Sequence, residues 1–90
     1  MKCARILISG SVQGVSYRAF AKKHATELGL TGFAKNMPDG RVEVFIEGDQ
    51  KRINDLVERL KKGPAAANVN EVKFDWEDYE GLYDSFEVVH

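Results

Sequence analysis

The chain has 90 residues, 43% hydrophobic and 30% charged, enough for one small core and no second one. Thirteen basic against fourteen acidic residues give a net charge of -1, which excludes a global electrostatic pull toward nucleic acid or an anionic membrane surface. Cys3 is the single cysteine, so no intrachain disulfide forms, and Met1–Ile8 lacks a basic segment leading into a long apolar run; residence in the cytoplasm is the expectation.

Arg5 to Ser9 places Ile6, Leu7 and Ile8 in a row, apolar on both faces, which predicts a central strand. Cys3, at its start, reads as a small half-buried hydrophobe. The loop Val12-Gln13-Gly14-Val15-Ser16-Tyr17-Arg18 joins this strand to a helix predicted over Arg18–Leu28, with Phe20, Ala21, Ala25 and Leu28 at helical spacing and Gly29 as the stop. Thr31–Met37 predicts a second strand. Pro38-Asp39-Gly40 is a turn, proline presetting one backbone angle and glycine tolerating a positive one.

Arg41–Glu47 is the clearest strand: Val42, Val44 and Ile46 form one face, Glu43, Phe45 and Glu47 the other. The carboxylates of Glu43 and Glu47 are therefore expected on a solvated sheet face rather than as an acid–base pair. Asp49 is placed to cap a helix whose Ile53, Leu56, Val57 and Leu60 form an amphipathic stripe ended by Gly63-Pro64. Ala65–Ala67 is a connector, Val72, Phe74 and Trp76 alternate with charged residues in a fourth strand, and Phe86–Val89 is a short fifth after the Glu80-Gly81 turn. The order predicts an α+β, ferredoxin-like βαββαβ sandwich over residues 1–90. Its sheet is antiparallel, its two helices share one face, and a short strand is added at the C-terminus.

A glycine-containing loop that enters a helix aims backbone N–H groups into a concavity, the helix N-terminus adds partial positive charge, and Arg18 adds a full one. That suits a phosphate or carboxylate group. Gly10 to Gly14 has neither the Gly-Lys-Ser/Thr ending of a nucleoside-triphosphate loop nor the GxGxxG spacing of dinucleotide binders. His24 and His90, with one cysteine, make no ligand set for a metal, and His24 reads as a boundary residue of its helix. Taken alone, Arg18 fits a surface arginine at a helix start as well as a ligand, and Asn36 fits a turn asparagine better than a site residue.

Val12-Gln13-Gly14-Val15-x-Tyr17-Arg18 resembles the signature loop of acylphosphatases. Leu28-Gly29-Leu30-x-Gly32-Phe33-x-Lys35-Asn36 followed by Asp39-Gly40-x-Val42-Glu43, then Glu47-Gly48 and Gly63-Pro64-x-x-Ala67-x-Val69, resemble further blocks of the same family. Phe33 and Lys35 stand where that family often has tryptophan and arginine, Tyr17 where it usually has phenylalanine, and Ser16 at a variable position that is frequently glycine. The resemblance implies hydrolysis of acyl phosphates: Arg18 grips the phosphate, Asn36 positions the water, and the backbone amides of Gln13, Gly14, Val15, Ser16, Tyr17 and Arg18 complete the cradle. It implies no metal and no cofactor, and a small-molecule acyl phosphate as the partner, with no nucleic acid and no membrane. The expectation is a monomer.

Two rivals share parts of this pattern. RNA-recognition domains have the same element order, but the third strand here presents Glu43, Phe45 and Glu47, a face that repels a nucleic-acid backbone. An acylphosphatase-like domain serving regulation or carbamoyl transfer within a larger assembly is the other; a chain running from Met1 to His90 without a linker favours an independent enzyme.

Overall fold

In the computed structural model, which describes residues 1–90, β1 (Lys2–Ser11) has neighbours on both sides. It pairs antiparallel with β3 (Val42–Gly48) and with β4 (Asn68–Glu77). β2 (Thr31–Asn36) pairs antiparallel with β3, and β5 (Phe86–Val89) pairs with β2, giving the order β4-β1-β3-β2-β5. α1 (Tyr17–Glu27) follows β1 and α2 (Gln50–Lys62) follows β3. The βαββαβ frame and the added last strand are those expected. One detail differs: β5 runs parallel to β2, so the sheet is mixed. β4 and β5 lie at opposite edges, and the chain leaving β4 must cross the sheet before it can pair again.

That crossing is made by residues 78–85, over the face opposite the helices. Four strand intervals of about 4.8 Å require roughly 19 Å, within reach of eight residues at about 3.3 Å each. Glu47 accepts hydrogen bonds from the backbone N–H groups of Leu82 (3.1 Å) and Tyr83 (3.0 Å), and the Tyr83 ring packs against Phe33 and Phe45 at 5.8 and 5.7 Å. The expectation of a solvated Glu47 is thereby corrected: the residue is 2% exposed, because this strap covers it. Glu43 remains half-buried in an ion pair with Arg5 (2.7 Å), which also pairs with Glu77 (2.8 Å). Cys3 is fully rather than half buried.

The helix-facing side of the sheet carries the core. Ile6 and Ile8 of β1, Ala34 of β2 and Val42, Val44 and Ile46 of β3 meet Ala21 and Ala25 of α1 and Ile53, Leu56, Val57 and Leu60 of α2. α2 starts where the Asp49 carboxylate accepts the Arg52 N–H (3.3 Å). α1 ends in a Schellman turn: Leu30 N–H reaches the Ala25 carbonyl (2.9 Å), Gly29 N–H the Thr26 carbonyl (3.0 Å), and Gly29 takes the left-handed φ of 70° the turn requires.

Candidate active site

β1 and β2 both run antiparallel to β3, and β5 runs with β2, so three strands point the same way. Their C-terminal ends, with the start of α1, enclose a cavity of about 320 Å3 lined by Val12, Gly14, Ser16, Tyr17, Arg18, Ala19, Asn36 and Val88. Asn36 reaches it because the pleat puts Asn36 on the same face as Ala34, toward the helices, while Lys35 faces the other way. The structure therefore brings Arg18 and Asn36 to one cavity, together with Gly14, Ser16 and Tyr17. Gln13 and Val15 do not line it: the Val15 side chain packs on the core, and that of Gln13 reaches toward the β2–β3 turn.

The loop is built around two left-handed residues, Gly14 (φ 76°) and Ser16 (φ 62°). Ser16 occupies the N-cap position of α1 without capping it, since its left-handed backbone leaves the hydroxyl with no bond to the first-turn amides. No backbone N–H from Gly14 to Ala19 is in hydrogen-bonding geometry with a protein acceptor; the first bond of the helix is Phe20 N–H to Ser16 carbonyl, 3.0 Å. Six successive donors thus remain open at the positive end of a helix. The helix begins one residue earlier than the sequence predicts, at Tyr17, whose ring turns inward to the core.

Arg18 is half-buried, and its Nη1 donates to the Val89 carbonyl at 2.6 Å. One of five guanidinium donors is thereby spent on orientation and the rest stay available. The Asn36 side chain is half-buried and makes no hydrogen bond with the protein. The cavity is therefore lined by donors and one uncommitted amide. No three His, Cys, Asp or Glu side chains gather where they could share a metal ion.

His24 does not line the cavity. Its ring lies 4.3 Å from that of Phe20, and its Nδ1 accepts from Arg59 Nη1 at 2.9 Å. Burial, with the Arg59 charge second, holds its pKa below the usual histidine value. It is a neutral link between the two helices. What the sequence reading missed is the contribution of β5: Val88 as a wall and the Val89 carbonyl as the seat of Arg18. Only the parallel docking of that strand, a pairing between distant segments, places them there.

The acylphosphatase family model matches residues 4–88. The acylphosphatase of Thermus thermophilus is 51% identical over 76 residues, covering 84% of this chain and 86% of the relative. The crystal structure of acylphosphatase from Bacillus subtilis superposes with a TM-score of 0.96 at 32% identity, covering 100% of both chains. The structure of an acylphosphatase from Coxiella burnetii gives 0.93 at 39% identity, covering 98% of this chain and 92% of the other. On these matches along nearly its whole length, the chain belongs to the acylphosphatase family.

Proposed function

We propose that this acyl-phosphate hydrolase grips the phosphoryl group of its substrate with Arg18 and the backbone N–H groups of Gln13, Gly14, Val15, Ser16, Tyr17 and Arg18, and that Asn36 holds the attacking water. The observation that carries the reading is the row of N–H groups without protein acceptors beside Arg18, facing the uncommitted Asn36 amide across one cavity. An acyl phosphate dianion entering there meets donors and no fixed negative charge. The Asn36 Oδ1 accepts a hydrogen bond from the water and aims the water oxygen at phosphorus.

A bond forms from the water oxygen to phosphorus as the bond from phosphorus to the acyl oxygen breaks. The water's proton passes to a phosphoryl oxygen, and the products are a carboxylate and inorganic phosphate. The conjugate acid of that leaving group has a pKa near ~4–5, in the range of ordinary carboxyl groups. It leaves without a proton from a general acid. Positioning and charge stabilisation therefore suffice, which is the chemistry that donors and one amide supply. An alkyl phosphate would expel a far more basic alkoxide, which these residues do nothing to assist.

The test is hydrolysis of benzoyl or acetyl phosphate in excess EDTA by the parent, Arg18→Ala and Asn36→Ala. Turnover is expected in EDTA for the parent and is reduced on the order of 10²–10³-fold or more in each variant. Asn36→Ala keeps its affinity for inorganic phosphate, whereas Arg18→Ala loses much of it. Full activity of either variant would refute its assignment. Hydrolysis of p-nitrophenyl phosphate as fast as that of the acyl phosphate would refute the leaving-group argument.

A further inference from the structure

Gln13 is an exposed loop residue, yet its side-chain nitrogen donates two hydrogen bonds, to the Met37 carbonyl at 2.8 Å and the Arg41 carbonyl at 2.9 Å. Those two carbonyls are the ones that close the β2–β3 hairpin. The Arg41 carbonyl also accepts the Met37 N–H (2.7 Å), and the Met37 carbonyl accepts the Gly40 N–H (3.1 Å). Met37 follows Asn36, and Arg41 precedes Val42, the residue paired with Asn36 across the strands. Both protons of one amide therefore grip the two arms of the hairpin one residue beyond the Asn36–Val42 pair, on its turn side.

We propose that the Gln13 side chain is a positioning residue, a brace that fixes the distance between the open N–H groups of the loop and the Asn36 amide. The proposal rests on the reading of Arg18 and Asn36 given above. In that reading the loop holds phosphorus and the hairpin holds the water, so nucleophile and electrophile sit on separate segments of chain. β2 is joined to β1 only through β3, and Asn36 is the last residue of its strand. Without a direct tie, the end of the hairpin moves relative to the loop by the play of a strand terminus. A misplacement of about 1 Å between reacting groups costs roughly a hundredfold in rate. Two donors to two carbonyls, at different points of the same turn, restrain rotation as well as separation.

Glutamine is the side chain this geometry needs. It carries two protons on one nitrogen and no charge. Glutamate has the same shape but presents lone pairs to two carbonyl oxygens, and methionine fills the space with nothing to donate. Both substitutions leave the backbone N–H of residue 13 in place.

The experiment measures acetyl phosphate hydrolysis and competitive inhibition by inorganic phosphate for the parent, Gln13→Met and Gln13→Glu, with Gln13→Met also placed in the Asn36→Ala background. The expected result is a fall in kcat of about 10- to 100-fold, larger for Glu than for Met. The phosphate inhibition constant changes by less than about threefold, since Arg18 and the loop hold phosphate without the hairpin. Retained phosphate binding also reports that the variants are folded. In the Asn36→Ala background Gln13→Met adds little further loss, because two residues acting through one water are not additive. A kcat within twofold of the parent, or a loss that multiplies undiminished onto Asn36→Ala, would overturn the brace while leaving the site intact. Full activity of Asn36→Ala by itself would instead overturn the reading of the site on which the brace depends.

Discussion

Replacing Glu47 by Gln or Ala tests whether one buried carboxylate holds the strap across the sheet. Its oxygens accept two backbone N–H bonds, at 3.1 and 3.0 Å, in a place where the residue is 2% exposed. A hydrogen bond to a charged group contributes about 1.5–3 kcal/mol, so the two together give about 3 kcal/mol at the low end. Relief from burying a charge offsets part of this, and Leu82, 63% exposed, regains water for its amide once the strap loosens. Glu47→Gln keeps one acceptor oxygen but turns an NH2 group toward a second N–H, so about 2 kcal/mol is expected, and somewhat more for Ala. For a chain of this length, at about 2.1 cal/mol/K per residue, that lowers Tm by roughly 10 °C. Thermal and urea melts give the global loss. Amide exchange locates it: Leu82 and Tyr83 N–H groups lose protection before those of β1 and β3. A Glu47→Gln protein that melts within about 2 °C of the parent, with those two amides equally protected, would refute the clamp.

Tyr17→Phe is expected to cost about 1–2 kcal/mol and leave kcat nearly unchanged, measured by urea melts beside acetyl phosphate kinetics; the hydroxyl donates to the Leu60 carbonyl, whose helical partner would be the N–H that Pro64 lacks. The same burial pushes the Tyr17 phenol pKa up. Asp49→Ala removes the cap of α2 and should lower stability by about 1 kcal/mol, read as a Tm shift of roughly 5 °C. The Cys3 thiol, raised from 9.0 to about 11 by burial first and then by Glu47 and Glu77, should ignore Ellman's reagent at pH 8 until the chain is unfolded. Because the folded thiol keeps its proton where the unfolded one releases it, stability contributed by Cys3 is full below pH 9 and lost between pH 9 and 11. The parent should lose stability there more steeply than Cys3→Ala; parallel curves would contradict this.

Most of the frame was legible in the sequence, and the omissions share a cause. Period-two alternation in residues 41–47 and the Ile53–Leu56–Val57–Leu60 stripe report which side of an element is apolar, and both are buried as expected. They cannot report what lies over the other side. Glu47 and Phe45 alternate like solvated residues and are covered by a segment, Asp78–Ser85, with no periodicity of its own. In the site, residue spacing left Arg18 and Asn36 open to ordinary structural roles, and only the family resemblance singled them out. Their convergence on one cavity follows from strand direction, since β1 and β2 end on the same side of the sheet. The partner of Arg18, the Val89 carbonyl, lies 71 residues away, beyond any local signal.

β5 also has a protective consequence. Its pairing with Gly32 to Lys35 occupies what would otherwise be the free edge of β2, beside the stacked rings of Phe33 and Phe45. An apolar, unpaired strand edge is a template for pairing with another molecule, and the opposite edge, β4, is blunted by Glu71, Lys73, Asp75 and Glu77. β5 takes over that edge as a shorter one, four residues long with Glu87 between Phe86 and Val88. Losing it would expose the longer edge of β2, beside Phe33, to pairing with another chain.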